Sequence, residues 1–155
     1  MDIKPAFQED NIAVLITSSN LYSPYVGVLV ESIIENSSSQ YNYDILVLET
    51  DIIEENKQAI FSLARQKSNF CIRFINISTL MDSYQFQIIN VNHTKYNFYR
   101  LTALELLPDY HKVLYFDSDI VVKSDIAELY TTNIDGFYLA AAKCIRMQAH
   151  CNNPA

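Results

Sequence analysis

The chain has 155 residues, 50% of them hydrophobic and 19% charged, enough for one substantial core and too apolar for a disordered tail. Its net charge of −7 argues against nucleic acid as the main partner, because neutralising phosphates needs a basic face. A small anionic ligand stays open, since a bound divalent cation supplies local positive charge.

The three cysteines, Cys71, Cys144 and Cys151, show no paired spacing, which predicts a reducing cytoplasm and no disulfide framework. The opening MDIKPAFQEDN contains no apolar h-region, and no stretch reaches the ~18–20 apolar residues of a membrane span. The expectation is therefore a cytoplasmic protein, at most peripherally associated with a membrane. With only two glycines, Gly27 and Gly136, neither GxGxxG nor the GxxxxGK[ST] phosphate loop can be built. Any nucleotide bound here must be held by another device.

In chain order, Ile12 to Thr17 (IAVLIT) is a nearly continuous apolar run, the pattern of a strand buried on both faces. Polar Ser18-Ser19-Asn20 follows, and a helix is predicted from Ser23-Pro24, where proline suits the first turn. Tyr25, Val28, Leu29, Ser32 and Ile33 fall on one face of it. Tyr43 to Leu48 (YDILVL) reads as a second strand and Glu54 to Gln66 as an amphipathic helix with Ile60, Leu63 and Ala64 inward. Phe70 to Ile77 (FCIRFINI) alternates and reads as a third strand.

Thr79 to Thr94 is less regular and reads as loop with short elements. Lys95 to Leu107 returns to helical spacing, with Tyr96, Tyr99, Ala103, Leu104 and Leu107 sharing a face and Pro108 closing it. Lys112 to Phe116 (KVLYF) is a strand ending at Asp117; with no charge from Val113 to Phe116, it is predicted to be interior to the sheet. Ile120 to Val122 is short and β-branched, Asp125 to Tyr130 reads as a turn or two of helix, and Phe137 to Ala142 (FYLAAA) as a last strand. The alternation predicts an α/β fold with a largely parallel sheet.

In open α/β sheets, ligands collect beyond the carboxyl ends of the strands. Asp117 and Asp119 sit at such an end, on either side of Ser118. If the strand continues, its period of two puts both carboxylates on one side. Carboxylates so close repel unless a cation sits between them, and hard cations such as Mg²⁺ and Mn²⁺ prefer oxygen ligands. An isolated D-x-D is equally an ordinary solvated acidic turn.

The flanking residues extend the pattern. Tyr110-His-Lys-Val-Leu-Tyr-Phe-Asp-Ser-Asp-Ile-Val-Val122 resembles the signature of glycosyltransferase family 8, in which an apolar strand leads into D-x-D and an apolar triplet. Tyr99-Arg100-Leu101 resembles an upstream aromatic–arginine pattern of that family, slightly shifted, and Ile12 to Tyr22 resembles its first strand and nucleotide-binding loop. Together the similar segments run from about Ile12 to about Lys143.

The resemblance implies a GT-A (Rossmann-like) fold and a retaining transferase that moves a hexose from a UDP-sugar to a saccharide or glycolipid acceptor, as in lipopolysaccharide biosynthesis. It implies Mn²⁺ (or Mg²⁺) held by Asp117 and Asp119, with Asp117 also near the donor ribose and Ser118 beside the donor. Arg100 would reach the donor sugar or diphosphate, and Thr17, Ser18, Asn20 and Tyr22 would surround uracil and ribose. No covalent nucleophile declares itself among the carboxylates.

The chain departs from the family pattern in three places. Ser18-Ser19 stands where an acidic residue commonly meets the uracil, and Lys143-Cys144 where an Asp commonly holds sugar hydroxyls. A later His-x-Gly-x-x-Lys-Pro-type motif, which completes the metal site, does not occur; His150 does not match it, and a site from Cys144, His150 and Cys151 is not favoured. Residues 1–155 are thus expected to form one truncated domain lacking the family's C-terminal part. Two other readings stay open: a degenerate, non-catalytic nucleotide-sugar-binding domain, and a haloacid-dehalogenase-type phosphotransferase, whose D-x-D-x-[TV] motif Asp117 to Val121 also matches.

Overall fold

The computed structural model describes residues 2–84 and 96–142. Four parallel strands, β1 (Asn11–Thr17), β2 (Asn42–Glu49), β3 (Phe70–Asn76) and β4 (Leu114–Asp117), form one sheet in the order β3-β2-β1-β4. Helices α1 (Ser23–Glu35) and α2 (Glu54–Leu63) make the crossovers that parallel pairing requires. Short helices follow: α3 (Ser78–Asp82), α4 (Tyr96–Tyr99), α5 (Ala103–Leu106) and α6 (Ala127–Tyr130).

The alternation of side chains along the strands sorts the core into two layers. Ile12, Val14, Ile16, Ile45 and Val47 pack with Val26, Leu29, Val30 and Ile33 of α1 and Ile60 of α2. Leu15, Leu46, Leu48 and Ile75 face the other way and pack with Tyr99, Leu106 and Leu107. Both faces of β1 and β2 are therefore covered, which explains their unbroken apolar runs.

Several expectations need correction. β4 lies at an edge, paired among the described residues with β1 alone. Its freedom from charge reflects covered faces and not two paired edges: Leu114 and Phe116 pack into the first layer, Val113 and Tyr115 into the second. The run 137–142 is not a strand; it follows a turn in which Gly136 has φ 80°, and Phe137, Tyr138 and Leu139 are exposed. No sheet edge pairs with it among the described residues.

On α1 the buried stripe is Val26, Leu29, Val30 and Ile33, while Tyr25 and Val28 are exposed. Leu29, Ser32 and Ile33 of the predicted face are buried, and aliphatic Val26 and Val30 take the place of Tyr25 and Val28. The predicted helix from 95 to 107 is interrupted by a 3-10 turn at Arg100–Thr102, which leaves Leu104 92% exposed. Ile120–Val122 is irregular and docks on α1, where the Val122 N–H donates to Ser32 Oγ at 3.0 Å and Asn36 Nδ2 donates to the Val122 carbonyl at 3.3 Å. Cys144, His150 and Cys151 lie outside the described residues.

At the amino end of the sheet, fully buried Asp44 accepts hydrogen bonds from Arg73 Nη2 at 2.6 Å, the Tyr110 hydroxyl at 2.8 Å and the Ala6 N–H at 3.0 Å. This network clasps the N-terminal segment and the 107–113 loop to β2 and β3. Asp44→Asn strips Arg73 of its counter-charge and is expected to lower unfolding free energy by about 3 kcal/mol. Tyr110→Phe should cost about 1 kcal/mol, and urea unfolding of the two variants distinguishes the cases.

Candidate functional site

The carboxyl ends of β1 and β4 meet in register, with Thr17 opposite Asp117 and Leu15 opposite Tyr115. Asp117 is two residues beyond Tyr115, so both point to the face covered by α4 and α5. Thr17 Oγ1 lies 3.0 Å from the Tyr115 hydroxyl, which lies 3.0 Å from Asp117 Oδ1. Arg100, in the 3-10 turn of the opposing layer, brings Nη2 to 3.4 Å from the same Oδ1. Its guanidinium carbon sits 4.5 Å from the centre of the Tyr115 ring, in cation–π range.

Thr17, Arg100 and Asp117, singled out separately from the sequence, are thus brought together. The strand does not continue past Asp117: Ser118 and Asp119 form a turn, so the period-two argument for both carboxylates on one side does not apply. Asp119 is exposed, and Ser118 is half-buried between the two aspartates.

The other candidates are placed differently. Ser18 is buried; its N–H donates to the Leu48 carbonyl at 3.1 Å and its hydroxyl to the Ser19 carbonyl at 3.2 Å. Asn20 ties its loop to the start of α2, its Oδ1 accepting from the Ile53 N–H at 3.0 Å and from Asn56 Nδ2 at 2.9 Å. Tyr22 is exposed, 5.5 Å ring to ring from Tyr25.

Four positioning residues escaped the sequence reading. Glu49 is buried and accepts from Lys57 Nζ and the Ile52 N–H, both at 2.9 Å, which shapes the loop after β2. That loop presents Thr50, 2.9 Å from the Tyr99 hydroxyl, and Asp51, which accepts from the Tyr96 hydroxyl at 3.0 Å and the Asn20 N–H at 3.1 Å. The helix leading to Arg100 is therefore fastened to both of these side chains, and the loop after β1 to Asp51 as well. Tyr115 is the fourth; its one available signal was its place two residues before Asp117 in an apolar strand.

Among the described residues, no group of three or more His, Cys, Asp or Glu side chains gathers to hold a metal. Asp117 and Asp119 offer two carboxylates at a strand end. That donor set fits a hard cation completing its shell with ligand oxygens and does not form a closed protein cage. No helix among the described residues is long and apolar enough to cross a membrane.

Residues 13–154 match the sequence pattern of Glycosyl transferase family 8. The chain belongs to this family. It is 27% identical over 131 residues to a Haemophilus influenzae protein assigned as a glycosyltransferase, covering 84% of this chain and 38% of that one. The apo structure of WbbM, a bifunctional glycosyltransferase, superposes with a TM-score of 0.76 at 28% identity, over 86% of this chain and 23% of that one. The galactosyltransferase LgtC, solved with donor and acceptor sugar analogues, shares the fold at a TM-score of 0.62 and 22% identity, over 79% of this chain and 43% of LgtC. The family 8 chain described here thus has the GT-A fold and spans less than half the length of these relatives. Family membership displaces the haloacid-dehalogenase-type reading.

Burial, and then the bond to Asp51, push the Tyr96 phenol up from 10.0 to about 12. The raised value means that folding favours the neutral phenol. Its contribution to stability is full below pH 10 and is lost as pH rises through about 12. Tyrosinate absorbance titration should show one high-pH transition fewer in Tyr96→Phe, and that variant should lose less stability over this window.

Proposed function

We propose that this chain forms the donor-binding part of a retaining hexosyltransferase, using a UDP-hexose donor and a saccharide or glycolipid acceptor. The observation that carries this reading is the meeting of Thr17, Arg100 and Asp117 at the carboxyl ends of β1 and β4, in a family 8 chain. LgtC, a structural relative with both donor and acceptor analogues bound, supports a two-substrate site in this fold.

In this reading Asp117 and Asp119 would hold Mn²⁺ or Mg²⁺ together with diphosphate oxygens of the donor. When bound, the cation supplies positive charge against the developing charge of the leaving nucleoside diphosphate. Arg100 supplies a planar, permanently charged fork to the same oxygens or to the sugar hydroxyls. Thr17, Ser18, Asn20 and Tyr22 line the approach of nucleoside, Asn20 through its hold on the loop and Ser118 from the turn. With no carboxylate declaring itself in the sequence as a nucleophile, departure and attack on one face of an oxocarbenium-like sugar is the favoured route to retention, with position and electrostatics as the protein's contribution.

A second reading, binding without transfer, draws on two observations. The chain spans 38% of its Haemophilus relative, and the Ser18 hydroxyl donates to the Ser19 carbonyl. A match over part of that relative leaves the acceptor side unassigned, and a Ser18 hydroxyl whose proton is committed to Ser19 can meet a uracil only as an acceptor.

Mn²⁺ is expected to bind weakly alone and more tightly with UDP. Asp119→Asn should weaken both by about tenfold or more, comparable to losing a ligand's support in other metal sites. Calorimetry reads the difference, and equal affinities in wild type and variant would refute the metal assignment. Incubated with UDP-glucose or UDP-galactose, Mn²⁺ and sugar acceptors, residues 1–155 should hydrolyse donor slowly and form little glycoside. Effective molarity is lost when one wall of a site is absent. Robust glycoside formation would show that the residues present suffice.

A further inference from the structure

We propose that Tyr115 is a positioning residue of the donor site: its hydroxyl, oriented by Thr17, fixes the Asp117 carboxylate so that Oδ2 is the oxygen presented to a divalent cation. The proposal rests on the donor-site reading above and adds a residue and a direction to it.

Three features of the geometry carry it. The Tyr115 ring is half-buried and packs into the layer containing Leu15 and Tyr99, so its hydroxyl is held from below by the core. That hydroxyl stands 3.0 Å from Thr17 Oγ1 and 3.0 Å from Asp117 Oδ1. A carboxylate only accepts, so Tyr115 donates to Asp117 and, its single proton being used, accepts from Thr17. The chain of bonds therefore has one direction, from β1 through the tyrosine to the end of β4.

The third feature is which oxygen is engaged. Both Tyr115 and Arg100 address Oδ1, the latter at 3.4 Å, while the guanidinium carbon lies 4.5 Å from the Tyr115 ring centre. Tyr115 thus acts on Asp117 twice: directly through its hydroxyl, and through the face that carries Arg100. With Oδ1 engaged on the protein side, Oδ2 is the oxygen directed to a cation. An exposed carboxylate, 60% accessible here, would otherwise sample several rotamers, and fixing one beforehand removes that ordering cost from cation binding.

The test measures Mn²⁺ affinity, without and with UDP, for wild type, Tyr115→Phe, Thr17→Val, Thr17→Ser and the Phe/Val double variant, with circular dichroism melting in parallel. Tyr115→Phe keeps the ring under Arg100 and loses the hydroxyl, and should weaken Mn²⁺ binding about five- to tenfold, on the order of one typical net hydrogen bond. Thr17→Val should weaken it less, add almost nothing in the Phe background, and be rescued by Thr17→Ser, which retains the donor. A merely structural tyrosine would lower the melting temperature and leave Mn²⁺ affinity unchanged.

Full additivity of the Thr17 and Tyr115 substitutions, or wild-type affinity in a folded Tyr115→Phe, would overturn the proposal while leaving the donor-site reading standing. Failure of the wild-type chain to bind Mn²⁺ with UDP would overturn both. Should Tyr115→Phe not fold, the comparison of Thr17→Val with Thr17→Ser decides alone: equal affinities for the two would overturn the relay.

Discussion

The pairing of Thr17 with Asp117 across β1 and β4 is the constraint on which the site depends. Parallel pairing leaves the carboxyl ends of both strands at one edge of the sheet, and side-chain alternation then decides which residues face each other there. Ile16 and Phe116 turn toward α1 and enter the core, while Leu15 and Tyr115 turn toward α4 and α5. Thr17 and Asp117 continue the second series. A slip of one residue in β4 would send Asp117 into the aliphatic layer under α1 and bring Phe116 against Arg100. The core therefore enforces the register that the polar end requires.

Arg100 reaches this edge from the other layer, and its placement depends on fastenings beyond the edge itself. Buried Glu49, held by Lys57 and the Ile52 N–H, shapes the loop that carries Thr50 and Asp51. Those two bond the hydroxyls of Tyr99 and Tyr96, on the turn preceding Arg100, while Asp51 also holds the Asn20 N–H. The break from α4 into the 3-10 turn falls directly after these tyrosines. An unbroken helix would have carried Arg100 on a different azimuth, since each residue in a 3-10 turn advances further around the axis than in an α-helix.

The strands were legible in the sequence because continuous apolar runs and alternating runs report directly on which faces are covered. Face coverage is all they report. The run Val113 to Phe116 is apolar because both its faces are packed, yet among the described residues it occupies an edge. FYLAAA has the composition of a strand but, among the described residues, no strand to pair with, and composition does not encode a partner. On the site, residue type pointed to Asp117, Thr17 and Arg100, all of which converge. It pointed equally to Asn20, whose side chain is turned to α2. Tyr115 was hidden for the opposite reason: its ring meets the apolar pattern of the strand, and its hydroxyl matters only once Thr17 is known to lie across from Asp117.

The ion pair between Arg100 and Asp117 is long and exposed on both sides, with side-chain accessibilities of 38% and 60%. Such a pair contributes only ~0.5 kcal/mol. It is a weak lock, and weakness is what the proposed donor site would require of it. A diphosphate carrying a cation would bring negative oxygens to Arg100 and positive charge to Asp117, so each member can exchange its partner for a stronger one at little cost. The Tyr115 hydroxyl and ring are neutral and are under no such pressure to exchange. In the proposed donor site, charge at this edge would thus be divided between two groups able to exchange partners and one fixed aromatic between them, which would preserve their spacing while a ligand replaced their mutual contact.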